Sequence, residues 1–181
     1  AENAKNQFGI TFQEYAMRAN EDAQQVFNSF ANQGAELVVA LGFQYVSPII
    51  KIAEKHPATY FSIVDGTIPP LFNNVQSITF RDNEGAFLVG MIAAMHSKNK
   101  KVGFIGGMDV PVIRDFAYGF QQGAEYINAD VEVMRDMIGT TPEAWNSPEK
   151  ARALAHKQIA RGADVLFAAA GGSSIGMLQK A

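Results

Sequence analysis

Apolar residues along this chain alternate between two rhythms. Strand-length runs rich in apolar residues stand at 36–41 (ELVVAL), 59–64 (TYFSIV), 75–80, 102–105, 131–138 and 165–170 (VLFAAA). Between them, apolar or small residues recur at helical spacing: Ala23, Val26, Phe27, Phe30 and Ala31; Ile49, Ile50, Ile52 and Ala53; Phe87, Leu88, Met91, Ile92 and Met95. The same period continues through 113, 116, 117, 120, 124 and 127, and again through Ala151, Leu154, Ala155 and Ile159. Continuous apolar strands, rather than alternating ones, are what parallel strands covered on both faces require. Strands alternating with helices predict an α/β protein with parallel sheets. Residues 1–20 are polar and show little pattern before Glu14.

The punctuation agrees with this reading. Asn20-Glu21-Asp22 and Ser147-Pro148-Glu149 read as helix starts, and Gly34 and Gly162 as helix ends. Asp82 is expected to cap the helix that follows it. Near the middle, Val102–Ile105 predicts a buried strand stopped by Gly106-Gly107, after which Asp109 is expected as N-cap and Pro111 as an early helical residue. A strand, a glycine turn and a helix start form the corner at which open α/β sheets place ligands, because the crevice lies at the carboxyl ends of the strands. Lys98-Asn99-Lys100 reads as a polar crossover.

Two stretches resemble each other. Gln33–Gly42 and Arg161–Gly171 both run from a helix-ending Gly through Ala and an acid into an apolar strand that reaches Gly. Shared loop chemistry would give this, and so would two similar lobes, 1–98 and 99–181.

Composition narrows the function classes. With 48% hydrophobic and 18% charged residues, the 181-residue chain can bury a real core. A net charge of −3 argues against nucleic acid held on a basic surface. No apolar run approaches the roughly 20 residues of a membrane span, and no basic-then-apolar leader opens the sequence, so an exported protein would be in processed form here. With no cysteine, the chain has no disulfide, thiolate metal site or cysteine nucleophile.

His56, His96 and His156 fall near helix ends, none beside a group of carboxylates. Neither a P-loop nor Gly-x-Gly-x-x-Gly occurs, and Ser173-Ser174 is not a nucleophile elbow. The reading is therefore a binding protein with no catalytic residues, no metal and no cofactor. The candidates are polar and aromatic groups at strand ends: Phe43, Asp65, Arg81, Asp82, Glu84, Met108, Asp109, Phe116, Trp145, Gly171 and Gly172. Aromatic rings there sandwich flat or sugar-like ligands, and carboxylates accept hydrogen bonds from hydroxyls or amines. Asp82 and Asp109 read equally as N-caps, and Phe116 equally as core.

Several of these segments, in order, resemble the basic membrane protein family, the substrate-binding lipoproteins of ABC importers related to purine-nucleoside receptors. The resemblance rests on Gly42-Phe43, Phe61–Gly66, Asn74–Gly90, Lys101–Asp109, Ile113–Phe120 and Gly162–Gly172. It implies a type I periplasmic-binding-protein fold, with two Rossmann-like lobes closing on a small solute, commonly a purine nucleoside or base. It also implies an ABC permease as partner and a periplasmic or outer-surface location, with membrane contact only through a lipid anchor outside this chain. The family's opening strand, with its Asp-x-Ser-Phe-Asn segment, is missing. So are the strands after Gly172, which carry the acid and lysine expected to hold a ribose. The alternatives are a different solute (a sugar or base), the ligand-sensing domain of a regulator on the same fold, and a small α/β enzyme lacking any visible catalytic group.

Overall fold

The computed structural model describes residues 2–18 and 21–179. They form two compact units, Ala1–Thr79 and Phe80–Ala181. The expected lobe boundary lay at 98/99. The units divide earlier because the helix at 82–96 packs along the next helix of the second unit.

The first unit contains α1 (Glu2–Phe8), α2 (Ala23–Asn32), β1 (Leu37–Leu41), a 3-10 turn at Phe43–Tyr45, α3 (Val46–Ala53), β2 (Tyr60–Val64) and β3 (Val75–Ile78). The weakly patterned start of the chain therefore carries one short helix. Asp22 caps α2 by accepting a hydrogen bond from the Gln24 amide at 2.9 Å, while Asn20, read with it as a helix opener, lies outside the described residues. The three strands are parallel in the order β1-β2-β3. Phe27, Ile49, Ile52, Phe61 and Ile63 form the core. On β1 only Val38 and Ala40 are buried; Leu37, Val39 and Leu41 are exposed. So β1 departs from the expectation of two covered faces: among the described residues, α2 and α3 supply helical cover on one side only.

The second unit contains α4 (Asp82–His96), β4 (Lys101–Met108), α5 (Pro111–Ile127), β5 (Glu132–Gly139), a 3-10 turn at Pro142–Asn146, α6 (Pro148–Ala160), β6 (Val165–Ala169), a 3-10 turn at Gly171–Ser173 and α7 (Ser174–Leu178). Its sheet is parallel in the order β5-β4-β6. Central β4 matches the two-faced expectation: Val102, Phe104 and Ile105 are fully buried. Phe104, Phe120 and Phe167 pack with ring centroids 5.5 to 6.1 Å apart.

Two expectations at this strand need correction. Gly106 and Gly107 do not end β4; pairing continues through Gly106 to Met137 and Met108 to Gly139, because neighbouring side chains fill the space a Cβ would take. The N-cap of α5 is Val110, not Asp109, whose carboxylate is engaged by Arg114. Likewise Arg81 holds the N-cap position of α4 without a side-chain capping bond, and Asp82 is the first helical residue. Acidic residues in a first turn still favour the positive end of the helix dipole.

The 98–100 segment, read as a polar crossover, is tied down. The Asp164 carboxylate accepts bonds from the Ser97 hydroxyl at 2.6 Å and from the Lys98 and Asn99 amides at 2.7 and 2.9 Å. This links the α4–β4 turn to the start of β6.

Helices α4 and α5 touch backbone to backbone. A Cβ on Gly119 would strike the Asn83 carbonyl, one on Gly123 the Phe87 carbonyl, and one on Gly90 the Phe120 carbonyl. Gly85, also on α4, has nothing within 4 Å of the equivalent position. Gly123→Ala is therefore expected to cost about 1–3 kcal/mol, since the helices must separate. Gly85→Ala is expected to stabilise by about 0.5–1 kcal/mol through helix propensity. Urea denaturation of both variants checks this, and equal effects at the two positions would contradict the close contact.

Candidate functional site

Each sheet brings its strand ends level at the carboxyl edge. In the first sheet the last ladder partners are Leu41, Val64 and Ile78. One further rung continues on each side: the Gly42 amide donates to the Val64 carbonyl at 2.8 Å and the Asp65 amide to Ile78 at 3.0 Å. Phe43 starts the following 3-10 turn, half-buried, and Asp65 is exposed with φ 59°. A left-handed aspartate is uncommon, though tolerated better than a bulky residue there. The sheet thus gathers Phe43 and Asp65 at one edge.

In the second sheet the Asp109 amide donates to the Gly139 carbonyl at 2.8 Å, just past the last β4–β5 pair. Met108 and Asp109 are half-buried there. Trp145 lies across the edge. Its ring carbons would sit 2.5 Å from a Cβ on Gly107 and 3.5 Å from one on Gly171, so two adjacent strand ends form a bare shelf beneath the indole. Gly171, at φ 53°, and Gly172 are exposed beside it. Met108, Asp109, Trp145, Gly171 and Gly172 therefore share one edge.

Four candidates sit elsewhere in the second unit. Arg81 and Glu84 pair at 3.1 Å on the first turn of α4, with side chains 83% and 60% exposed. Such a pair contributes little to stability. Asp82 is half-buried on the same turn. Phe116 is half-buried against the core around Phe104 and Phe120, which favours the packing alternative for it.

Arg114 was missed by the sequence reading. Its Nε and Nη2 donate to the two Asp109 carboxylate oxygens at 2.7 and 3.1 Å. The signal was an acid ahead of the helix with an Arg five residues on, in the first turn. A bidentate pair of this kind is directional and nearly neutral overall. Hydrogen bonding to Arg114, helped by its charge, holds the Asp109 carboxyl below its ordinary value and raises Arg114 in turn. Among the described residues, no group of three His, Asp or Glu gathers as a metal site, and no helix is long and apolar enough to cross a membrane.

A carboxyl lowered in the folded state stabilises above its unfolded value and loses that contribution as pH falls through the folded one. The Asp109–Arg114 pair thus opens only below the ordinary value of 3.8. In Arg114→Gln, the Asp109 titration is expected to move up toward the ordinary carboxylate range, read by carbon-detected NMR. Titration at the wild-type pH would show that Arg114 is not the cause.

The family model described as ABC transporter substrate-binding protein PnrA-like matches residues 1–181. The chain is 34% identical over 179 residues to the ABC transporter nucleoside-binding protein BmpA of Lactococcus lactis, covering 99% of this chain and 49% of that one. It is 33% identical over 150 residues to basic membrane protein A2 of Borrelia garinii, covering 82% and 43%. A crystal structure of an ABC transporter solute-binding protein from Aeropyrum pernix superposes with TM-score 0.82 and 27% identity, covering 99% of this chain and 51% of the other. The chain therefore spans about half the length of these relatives and has the type I periplasmic-binding fold that they share. It belongs to the basic membrane protein family of PnrA-like ABC transporter substrate-binding proteins.

Proposed function

We propose that this chain is part of the solute receptor of an ABC importer and that the solute is a purine nucleoside or its base. The observation that carries the reading is Trp145 lying over Gly171 and over Gly107, which stands two residues before Asp109 of the neutralised Asp109–Arg114 pair. A flat heteroaromatic ring stacks on an indole face, and the second lone pair on each Asp109 oxygen accepts a hydroxyl or amine. A carboxylate already balanced by a guanidinium offers no net positive charge to a phosphate. The site therefore suits an uncharged solute. In the first sheet, Phe43 and Asp65 present the same kinds of group at their own edge.

Binding without chemical change asks for stacking and hydrogen bonds, which these residues supply, and for no proton-transfer machinery. The printed name of the Lactococcus lactis relative, a nucleoside-binding protein, supports the choice of solute. As a receptor the protein works outside the cytoplasm, held to the membrane by a lipid anchor and delivering its solute to a permease. It has no enzymatic activity of its own.

The test is a thermal-shift panel on the full-length protein, since a ligand bound only by the native state raises the melting temperature. Adenosine, guanosine or inosine is expected to raise it, and ribose or amino acids are not. Response to a sugar or amino acid with none to any purine would overturn the nucleoside reading. Trp145→Ala is expected to weaken purine binding about 5- to 150-fold, the range that base–aromatic stacking supports. Unchanged affinity would return Trp145 to a packing role.

A further inference from the structure

We propose that Ser173 is the positioning residue of this site: its buried hydroxyl clasps the turn carrying Trp145 to the end of β6 and fixes the indole over Gly107 and Gly171. Ser173 is fully buried. Its Oγ accepts the Ser147 amide at 2.6 Å and donates to the Ala144 carbonyl at 2.8 Å. Those two backbone groups bracket Trp145 and Asn146, so one hydroxyl grips the turn on both sides of the indole. The turn is closed a second time by the Ser147 hydroxyl, which donates to the Glu143 carbonyl at 2.7 Å.

Neighbouring contacts leave the clasp little room to slip. A Cβ on Gly172 would lie 3.1 Å from the Trp145 carbonyl oxygen, and one on Gly176 would strike the Pro148 carbonyl. The segment 171–176 is thus seated directly against the Trp145 turn and the start of α6. Buried polar groups that lose their partner are not rescued by solvent. Without the hydroxyl, the Ser147 amide and the Ala144 carbonyl would have to move to find water, and Trp145 would move with them. Ser173 does not face the solute in this scheme. It holds the ring ready in advance, which lowers the ordering cost of binding.

The proposal rests on the reading of Trp145 as the stacking residue only for its effect on affinity; the clasp itself is testable without ligand. In the full-length protein, the indole 15N–1H resonance of Trp145 is assigned by comparison with Trp145→Phe. In Ser173→Ala that resonance is expected to shift and broaden, and purine nucleoside affinity to fall about tenfold, as for a lost buried hydrogen bond. Ser173→Thr, which keeps the hydroxyl, is expected to restore both. An unchanged indole resonance in Ser173→Ala, even with lowered stability, would overturn the positioning role. Hydrogen exchange on the wild type decides the matter if Ser173→Ala fails to fold. The Ser147 amide should exchange as slowly as the buried β4 amides, and exchange at the rate of an exposed turn amide would overturn the clasp. If wild-type protein binds no purine nucleoside while the indole responds as expected, the solute reading fails and the clasp stands.

Discussion

Gly106 and Gly107 occupy the point at which the central strand of the second sheet is approached from both faces. Successive residues on a strand point to opposite sides, and here both sides are claimed. Ile113 of α5 and Met137 of β5 close over Gly106, while the Trp145 ring closes over Gly107. Any side chain at Gly106 would push back the first turn of α5, which carries Arg114. Any side chain at Gly107 would lift the indole. The missing Cβ atoms thus let the core and the candidate site be built on one strand.

Close approach through glycine recurs where α4 meets α5. Helices whose carbonyls lie against the neighbouring glycines cannot slide without losing contact along their length, so α4 is packed as part of the second unit. The Asp164 clasp fixes its far end by holding the 97–99 turn. The pattern 98–100 looked like a crossover because it is short, polar and lysine-rich. Those features describe solvent exposure, which Lys98 to Lys100 have, and say nothing of backbone amides bonded to an acid 65 and 66 residues away.

Strand and helix identities were legible because apolar runs and helical spacing reflect burial directly. The repeated helix-end device was legible too: Gly34 and Gly162 both adopt positive φ, at 84° and 101°, and lead into β1 and β6. What pattern could not supply were pairwise facts. Gly106-Gly107 reads locally as a chain break, yet the ladder passes through it because Met137, Ile113 and Trp145 fill the space. Asp109 reads locally as a cap, but Arg114 offers a charged, two-pronged partner that a cap position cannot match. The one covered face of β1 was illegible for another reason. Its continuous apolar run fits two covered faces, yet hydropathy alone does not say which faces a helix covers, and Leu37, Val39 and Leu41 are exposed. Of the proposed edge, Met108, Asp109, Trp145 and the glycines at 171 and 172 were gathered from sequence, whereas Arg114 and Ser173 emerged only from their contacts.

The solute proposed for these strand ends is an uncharged purine nucleoside. Isothermal titration of the full-length protein with inosine, against inosine monophosphate as comparator, tests it most directly. Saturable one-to-one binding of the nucleoside, at least about tenfold tighter than the phosphorylated form, is the expected result for a site whose cation is already paired. No heat from any purine nucleoside, or equal affinity for the phosphorylated form, would contradict it.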